Sequence, residues 1–160
     1  MTADQPDQPT DQPTEQQPAG PTYTLQQFPE KLAVIRLPPG SEVPAWAESA
    51  SLFSITATAT ETSLVCAGRD VPTKTAARRG LTAFAVQGPL DPEDVGVLAA
   101  LLVPLAEERI AVFTISTYDT DWVLLPVGDA ERAAEAWRRR GHTVAIAVPV
   151  PPVRKQKKKK

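Results

Sequence analysis

The sequence predicts an α+β fold in which antiparallel sheets carry helices on one face. Short segments in which β-branched or apolar residues alternate with polar ones recur between turns, as half-buried strands do. The order strand–helix–strand–strand occurs twice along the chain, and a further helix and strand follow the second copy, giving βαββ and βαββαβ. Such an order places the helices together on one face of an antiparallel sheet.

Both ends of the chain have compositions that predict disorder. Residues 1–22 repeat a D-Q-P-T theme and contain almost no apolar side chains, so they cannot bury enough surface to offset chain entropy. Residues 149–160 end in the basic run RKQKKKK, which is typical of a solvated tail and also attracts acidic surfaces weakly through charge. Between the tails we expect a truncated first unit over residues 23–79 and a complete second unit over residues 80–148.

The first unit is predicted to be mostly strand. Residues 23–27 and 31–37 are two strand candidates, and Pro-Pro-Gly stops the second of them. Residues 44–48 form a short helical turn in this prediction. Apolar and polar residues alternate over residues 53–58, and the chain returns over residues 64–67, which indicates a hairpin.

The second unit contains a longer helix, which we predict over residues 91–107 after a strand at residues 81–87. Asp91 is a good N-cap because its carboxylate can accept from the free amides of the first turn, and Pro92 follows at the first helical position. The apolar residues that recur at helical spacing are Val95, Leu98, Leu102 and Leu105.

A hairpin and a final helix and strand follow that helix. β-branched residues dominate residues 110–115, residues 116–121 are a polar turn, and residues 122–125 return. Ala130, Ala133, Ala134 and Trp137 share one face of the last predicted helix, which Asp129 caps. Gly141 is a plausible left-handed stop before a strand at residues 143–148.

Four short motifs in the second unit carry a resemblance to a known family. They are G-P-L-D at a strand end, x-x-G-[IV]-[LV] at the helix opening, P-L-A late in the helix, and I-S-T-Y-x-T-D before the last hairpin strand. The segment resembles an ACT-domain protein of the aspartate-kinase-like type, a group that includes small two-ACT bacterial proteins and the arginine sensors called CASTOR. The resemblance extends over about residues 23–144 and implies two tandem ferredoxin-like ACT units.

The resemblance also implies a ligand site. Carried over by motif, the ligand-binding residues are Asp94, Gly96, Thr117, Tyr118 and Asp121. Physical chemistry agrees, because the amides of a helix N-terminus suit the carboxylate of an amino acid and a side-chain carboxylate suits its ammonium group. The alternative is structural: the same carboxylates only cap the helix and satisfy hairpin amides.

Other chemistry has little support in the sequence. We expect His142, beside Gly141, to begin a surface strand rather than act as a base, and Cys66 to be a buried apolar thiol. There is no Cys/His cluster with metal-ligand spacing and no Walker loop or dinucleotide turn, and Asp119 with Asp121 is a weak cation site. The basic residues of the segment over residues 68–80 have two interpretations, a clamp for an acidic ligand or a solvated loop; they are Arg69, Lys74, Arg78 and Arg79.

The sequence therefore predicts a non-catalytic regulatory protein that binds an amino acid through its ACT domains, without a cofactor or metal. The alternative is an ACT-fold interaction or structural module that has no ligand. We expect a cytoplasmic protein, because no signal peptide, membrane-spanning run or second cysteine is present, and no specific nucleic-acid partner, because no broad basic face appears. Two units leave sheet edges exposed, so we expect a homodimer with the ligand at or near the subunit interface.

Overall fold

Seven strands and two α-helices make up the part of the chain that the computed structural model describes, residues 20–49 and 51–148. Of the tails predicted to be disordered, residues 1–22 and 149–160, only residues 20–22 lie inside these ranges, and they form neither helix nor strand. The strands are β1 (Thr24–Leu37), β2 (Ser54–Ala57), β3 (Thr62–Ala67), β4 (Ala77–Val86), β5 (Phe113–Ser116), β6 (Asp121–Pro126) and β7 (Thr143–Ile146). The helices are α1 (Val97–Glu107) and α2 (Ala130–Arg139). The α+β prediction is confirmed.

All seven strands join in one sheet, and β1 connects its two halves. The strand order is β2-β3-β1-β4-β6-β5, with antiparallel neighbours throughout, and β7 pairs parallel with β1. The start of β1 pairs with β7, whereas its end pairs with β3. β4 pairs with both halves of β1, and the unit boundary expected between residues 79 and 80 falls inside β4.

β1 is one strand of 14 residues, where the sequence predicts two shorter strands. Its register against β4 shifts between Phe28 and Leu32 and again before Val34. Pro29 lies at the first shift, where a residue without a backbone N–H disturbs the ladder least. The break in the sequence pattern therefore marks an irregularity inside a continuous strand. Before β2, the predicted helical turn is a single turn in which the amide of Ala47 donates to the carbonyl of Pro44 (2.9 Å).

Both helices cover one face of the sheet around Trp137. This side chain is fully buried, meets the ring of Phe84 edge-on at a centroid distance of 4.9 Å, and donates from Nε1 to the carbonyl of Leu101 (2.8 Å). Leu25 and Val123 complete the same core from the sheet side. The indole hydrogen bond lets the largest side chain of the core be buried without an unsatisfied donor.

The predicted apolar stripe of α2 is confirmed: Ala133, Ala134 and Trp137 are buried. Gly141 follows the helix at φ 86°, the left-handed conformation that the sequence predicts. Asp129 does occupy the N-cap position, but its carboxylate pairs with Arg132 (2.7 Å) and makes no capping hydrogen bond.

α1 begins later than the sequence predicts. It starts at Val97, because Gly96 before it adopts φ 84° and breaks the helical path. Val95, which the prediction placed on the buried stripe, is 89% exposed. Leu105 of that stripe is buried, as predicted, and Leu98 and Leu102 are half-buried. Val97 and Leu101 are buried as well. Among the described residues, neither helix has the length and apolar character needed to cross a bilayer.

Candidate functional site

A cavity of about 380 Å³ lies between the loop over residues 88–96 and the β5–β6 turn over residues 117–120. We call it the loop–turn cavity. The five residues that the sequence predicts as ligand-binding, Asp94, Gly96, Thr117, Tyr118 and Asp121, all line it. The fold thus brings together two segments that are more than twenty residues apart in the sequence.

The first turn of α1 presents backbone donors to this cavity. Gly96 is the N-cap, and its carbonyl accepts from the amide of Ala100 (2.9 Å). Within the described residues, no side chain caps this helix and the amides of Val97, Leu98 and Ala99 have no backbone acceptor. All three residues line the cavity. Three free amides at the positive end of a helix dipole form an anion-binding position.

Gly96 is required by its backbone conformation rather than by crowding. At φ 84° a side chain is strained, whereas a Cβ built on Gly96 would meet no heavy atom within 4 Å. The space beside the helix start is therefore open to a ligand.

Asp91 orders the loop and does not cap α1, which corrects the helix-cap prediction. Its carboxylate accepts from the amide of Glu93 (2.9 Å), and its carbonyl accepts from the amide of Asp94 (2.9 Å). This arrangement is an Asx turn, a local hydrogen-bonding alternative to a helix start. No hydrogen bond of the described residues engages the carboxylate of Asp94, which is exposed at the cavity.

The β5–β6 turn is held by Thr117. Its amide donates to the carbonyl of Thr120 (2.8 Å), its hydroxyl donates to the same carbonyl (2.9 Å), and the amide of Thr120 donates back to that hydroxyl (3.2 Å). The carboxylate of Asp121 accepts from the hydroxyl of Ser116 (2.5 Å) rather than from turn amides. Tyr118 projects outward and is 92% exposed, so it does not fill the cavity.

The loop and the turn are tied to each other through backbone groups. The amide of Leu90 donates to the carbonyl of Asp119 (2.9 Å), and the hydroxyl of Thr120 donates to the carbonyl of Val86 at the end of β4. A Cβ built on Gly88 would lie 2.6 Å from the Asp119 carbonyl oxygen, so only glycine fits there.

None of these three contacts, the two hydrogen bonds and the close approach at Gly88, was predicted from the sequence. Gly88 and Thr120 stand inside the motifs G-P-L-D and I-S-T-Y-x-T-D, which was the available signal. Asp119 acts through its backbone carbonyl, a role that its side chain does not reveal.

Negatively charged side chains line the cavity. Four carboxylates line it, from Asp91, Asp94, Asp119 and Asp121, and among the residues that the structure describes no lysine, arginine or histidine does. The start of α1 supplies positive potential at this cavity. Across the described residues, no three histidine, cysteine, aspartate or glutamate side chains are grouped as metal ligands.

His142 is not at the surface, which corrects the prediction for it. It is 6% exposed; its Nδ1 accepts from the amide of Tyr23 (3.1 Å), and its ring stacks on the Tyr23 ring at 5.9 Å. Burial lowers the pKa of the His142 imidazole, although hydrogen bonding with the Ala100 backbone opposes this. His142 is thus a neutral structural group at the junction of β1, α1 and β7.

Cys66 is fully buried, as predicted, and burial raises the pKa of its thiol. Two arginines of the basic segment over residues 68–80, Arg69 and Arg79, have local partners. Arg69 pairs with Glu30 (2.8 Å) and Asp70 (3.1 Å), and Arg79 donates to the carbonyls of Val71 and Pro72. None of these groups reaches the loop–turn cavity.

Comparison with protein families identifies two regions. The family model of the ACT domain matches residues 76–139, which include the loop, the turn and both helices. A second model, described as an N-terminal domain, matches residues 30–74. Among curated proteins, none matches the sequence.

Several solved structures share the fold. A protein of Agrobacterium tumefaciens is 29% identical, with a TM-score of 0.75, over 81% of this chain and 96% of that chain. Aspartate kinase of Clostridium acetobutylicum, described as an allosteric enzyme, matches at 13% identity and a TM-score of 0.56, over 72% of this chain and 33% of that chain. The regulatory subunit of aspartate kinase from Thermus flavus matches at 11% identity and a TM-score of 0.51, over 73% and 96%.

Proposed function

Since this chain is an ACT-domain protein, we propose that it is a non-catalytic regulatory protein that binds a free amino acid in the loop–turn cavity. The observation that carries the proposal is the juxtaposition of three free helix amides with the carboxylates of Asp94 and Asp121. The amides would receive the carboxylate of the ligand and the aspartates its ammonium group.

The shape of the cavity favours ligand binding over the alternative of a ligand-free interaction module. A cavity of about 380 Å³ is large enough for one amino acid. Tyr118 points to solvent, and the Trp122 ring packs against Phe28 instead of entering the cavity. The space beside Asp121 is therefore open.

The charge of the cavity narrows the ligand class. Because four carboxylates and, among the described residues, no cationic side chain line it, an acidic amino acid would be repelled there, whereas a neutral or basic one would not. The proposal therefore places lysine and arginine ahead of aspartate and glutamate.

Thermal-shift measurements with each of the twenty amino acids test the proposal. A ligand present at one hundred times its Kd stabilises the folded state by about 2.7 kcal/mol, which raises the melting temperature measurably. We expect at least one neutral or basic amino acid to do so, and aspartate and glutamate to have no effect. If none of the twenty raises the melting temperature, the sensing function is wrong and the interaction module takes its place.

Variants connect the response to the cavity. Asp94→Asn and Asp121→Asn each remove one proposed ammonium partner, and we expect each to weaken binding by about tenfold or more, as for loss of a hydrogen bond to a charged group. Glu93→Gln is the matched control, since Glu93 neighbours Asp94 but does not line the cavity. Equal effects of the three substitutions would place the ligand elsewhere.

We also propose that the protein is a homodimer with the cavity at or near the subunit interface. Val95 and Tyr118 flank the cavity and are 89% and 92% exposed. Exposed apolar and aromatic side chains beside a ligand site are typical of an interface. A ligand held between two copies would then shift the association equilibrium.

A further inference from the structure

An aromatic pair lies on the sheet face opposite to the helices. The rings of Phe28, on β1, and Trp122, on β6, meet over the central strand β4 at a centroid distance of 4.7 Å and an interplanar angle of 36°. Their partners across the sheet are Ala83 and Ala85, whose small side chains leave room for the two rings to touch above β4. Both rings are only half-buried, so part of each is open to solvent.

A second cavity, of about 830 Å³, opens beside these rings. It extends from Phe28 and Trp122 to the irregular part of β1 and the start of β4, and it shares no lining residue with the loop–turn cavity. We call it the aromatic cavity. Its volume lies within the range of small-molecule sites, about 300–1,000 Å³.

Glu30 fixes one wall of the aromatic cavity. Its carboxylate accepts from the hydroxyls of Ser49 and Ser51 (both 2.6 Å), from the amide of Ser51 (2.9 Å) and from Arg69 (2.8 Å). These bonds hold the segment that carries Leu52, which is buried over the same sheet face. Because serine and arginine donors surround the Glu30 carboxylate, its charge is compensated locally.

Two other cations that line the cavity, Arg79 and Lys31, are not compensated in this way. Arg79 donates to the carbonyls of Val71 (3.0 Å) and Pro72 (2.7 Å), which orient its guanidinium but carry no charge. Within the described residues, neither Arg79 nor Lys31 forms an ion pair, although both line the cavity. The aromatic cavity therefore combines exposed ring surface with two cations that have no carboxylate partner among the described residues.

We propose that the aromatic cavity binds a small organic anion with a planar, apolar body, such as an aromatic carboxylate or sulfonate. The planar body lies against the Phe28 and Trp122 rings, where offset stacking is favourable. The anionic group faces Arg79 and Lys31 and supplies the missing negative charge. This site has the opposite charge preference to the loop–turn cavity, lies on other elements and does not depend on the function proposed for that cavity.

A pair of fluorescent probes tests the proposal on the full chain. The probe 1-anilinonaphthalene-8-sulfonate is an anion with a planar naphthalene ring system, and N-phenyl-1-naphthylamine is its uncharged counterpart. We expect the anion to bind saturably with one site per chain and to quench part of the tryptophan fluorescence, and the uncharged probe to bind more weakly. Uncharged binding of equal affinity, or anion binding that does not saturate, would overturn the proposal.

Two neighbouring arginines supply a matched pair of variants. Arg79→Gln should weaken binding of the anionic probe by about tenfold and leave the uncharged probe unchanged, since one hydrogen-bonded charge contact is lost. Arg78→Gln should change neither, because Arg78 stands next to Arg79 but does not line the cavity. If Arg79→Gln lowers the melting temperature, Lys31→Gln provides an independent test, because the Lys31 side chain is exposed.

The same measurements separate a small ligand from a protein partner. If a second copy of this chain covers the aromatic pair, probe binding will fall as protein concentration rises, in step with association measured by sedimentation. That result, or equal affinities of the anionic probe for the Arg78, Arg79 and Lys31 variants, would overturn the proposal. Constant affinity across protein concentrations, with selective loss on changing Arg79 and Lys31, supports it.

Discussion

The amide nitrogen of Leu90 lies 2.9 Å from the carbonyl oxygen of Asp119, and this hydrogen bond joins the two walls of the loop–turn cavity. The contact is possible because Gly88, two residues earlier, has no Cβ to collide with the same oxygen. Neither Leu90 nor Asp119 needs its side chain for this contact. The geometry of the cavity therefore depends on backbone packing as much as on the carboxylates that line it.

Gly88→Ala should destabilise the protein and disturb the cavity. The added Cβ would lie 2.6 Å from the Asp119 carbonyl oxygen, so the loop or the turn must move. Overpacking of this kind lowers the free energy of unfolding by about 1–3 kcal/mol. Unfolding in urea measures this difference. Gly128→Ala is the control, because a Cβ there meets no atom within 4 Å. Equal stabilities of the two variants would contradict the close contact.

Glu30 should make the protein sensitive to acid. Burial opposes ionisation of its carboxyl, but hydrogen bonds from Ser49, Ser51 and Arg69 outweigh burial and lower the pKa from 4.5 to about 2. A pKa lowered by folding gives stability that is present above 4.5 and is lost as pH falls towards 2. This difference amounts to on the order of 3 kcal/mol.

Urea unfolding at several pH values checks the contribution of Glu30. We expect Glu30→Gln to be less stable than the wild-type protein at neutral pH and to lose less stability on acidification. Glu61→Gln serves as the control, because Glu61 forms an ion pair with the 71% exposed side chain of Arg36, and exposed pairs contribute little. If the stability of Glu30→Gln depends on pH as that of the wild-type protein does, Glu30 is not the source of the acid sensitivity.

His142 should cause a separate loss of stability on acidification, at a higher pH than the loss that Glu30 causes. Burial lowers the pKa of its imidazole below the usual 6.5, so the folded protein binds this proton less readily than the unfolded chain does. Stability is therefore full above 6.5 and falls as the pH drops through 6.5 towards the lowered pKa. His142 is the only histidine in the sequence, so loss of this step in His142→Gln would assign it. A stability that rises on acidification from about pH 7 to pH 5 would contradict the neutral, buried imidazole.

Two substitutions at Gly96 should distinguish an effect on dimerisation from the effect of backbone strain. Gly96→Ala introduces only the strain of φ 84°, whereas Gly96→Trp adds bulk at the proposed interface. We expect both variants to lose some stability, and only Gly96→Trp to lose dimerisation and the response to amino acids, as measured by sedimentation at tens of micromolar protein. A wild-type protein that is monomeric with and without amino acids would exclude the dimer.

The sequence by itself determined most of the secondary structure and the members of the candidate site. Alternation and helical spacing predicted the hairpins and α2, because those signals depend only on neighbours along the chain. The motifs around Gly96 and Thr117–Asp121 predicted five ligand-binding residues; all five line one cavity, and their binding of a ligand stays a prediction. The start of α1 was predicted too early in the sequence, since Asp91 and Pro92 look like a helix start whether or not the helix follows.

Only the tertiary structure decided how distant segments meet. The pairing of β1 with β3, β4 and β7 joins both halves in one sheet, and strand partners are chosen by long-range packing that no local pattern encodes. The burial of His142 depends on Tyr23, 119 positions away in the sequence. The aromatic cavity likewise arises because Phe28 and Trp122 flank one strand and Ala83 and Ala85 leave room above it. Contacts of this kind depend on the sheet register, which is fixed only when the whole core packs.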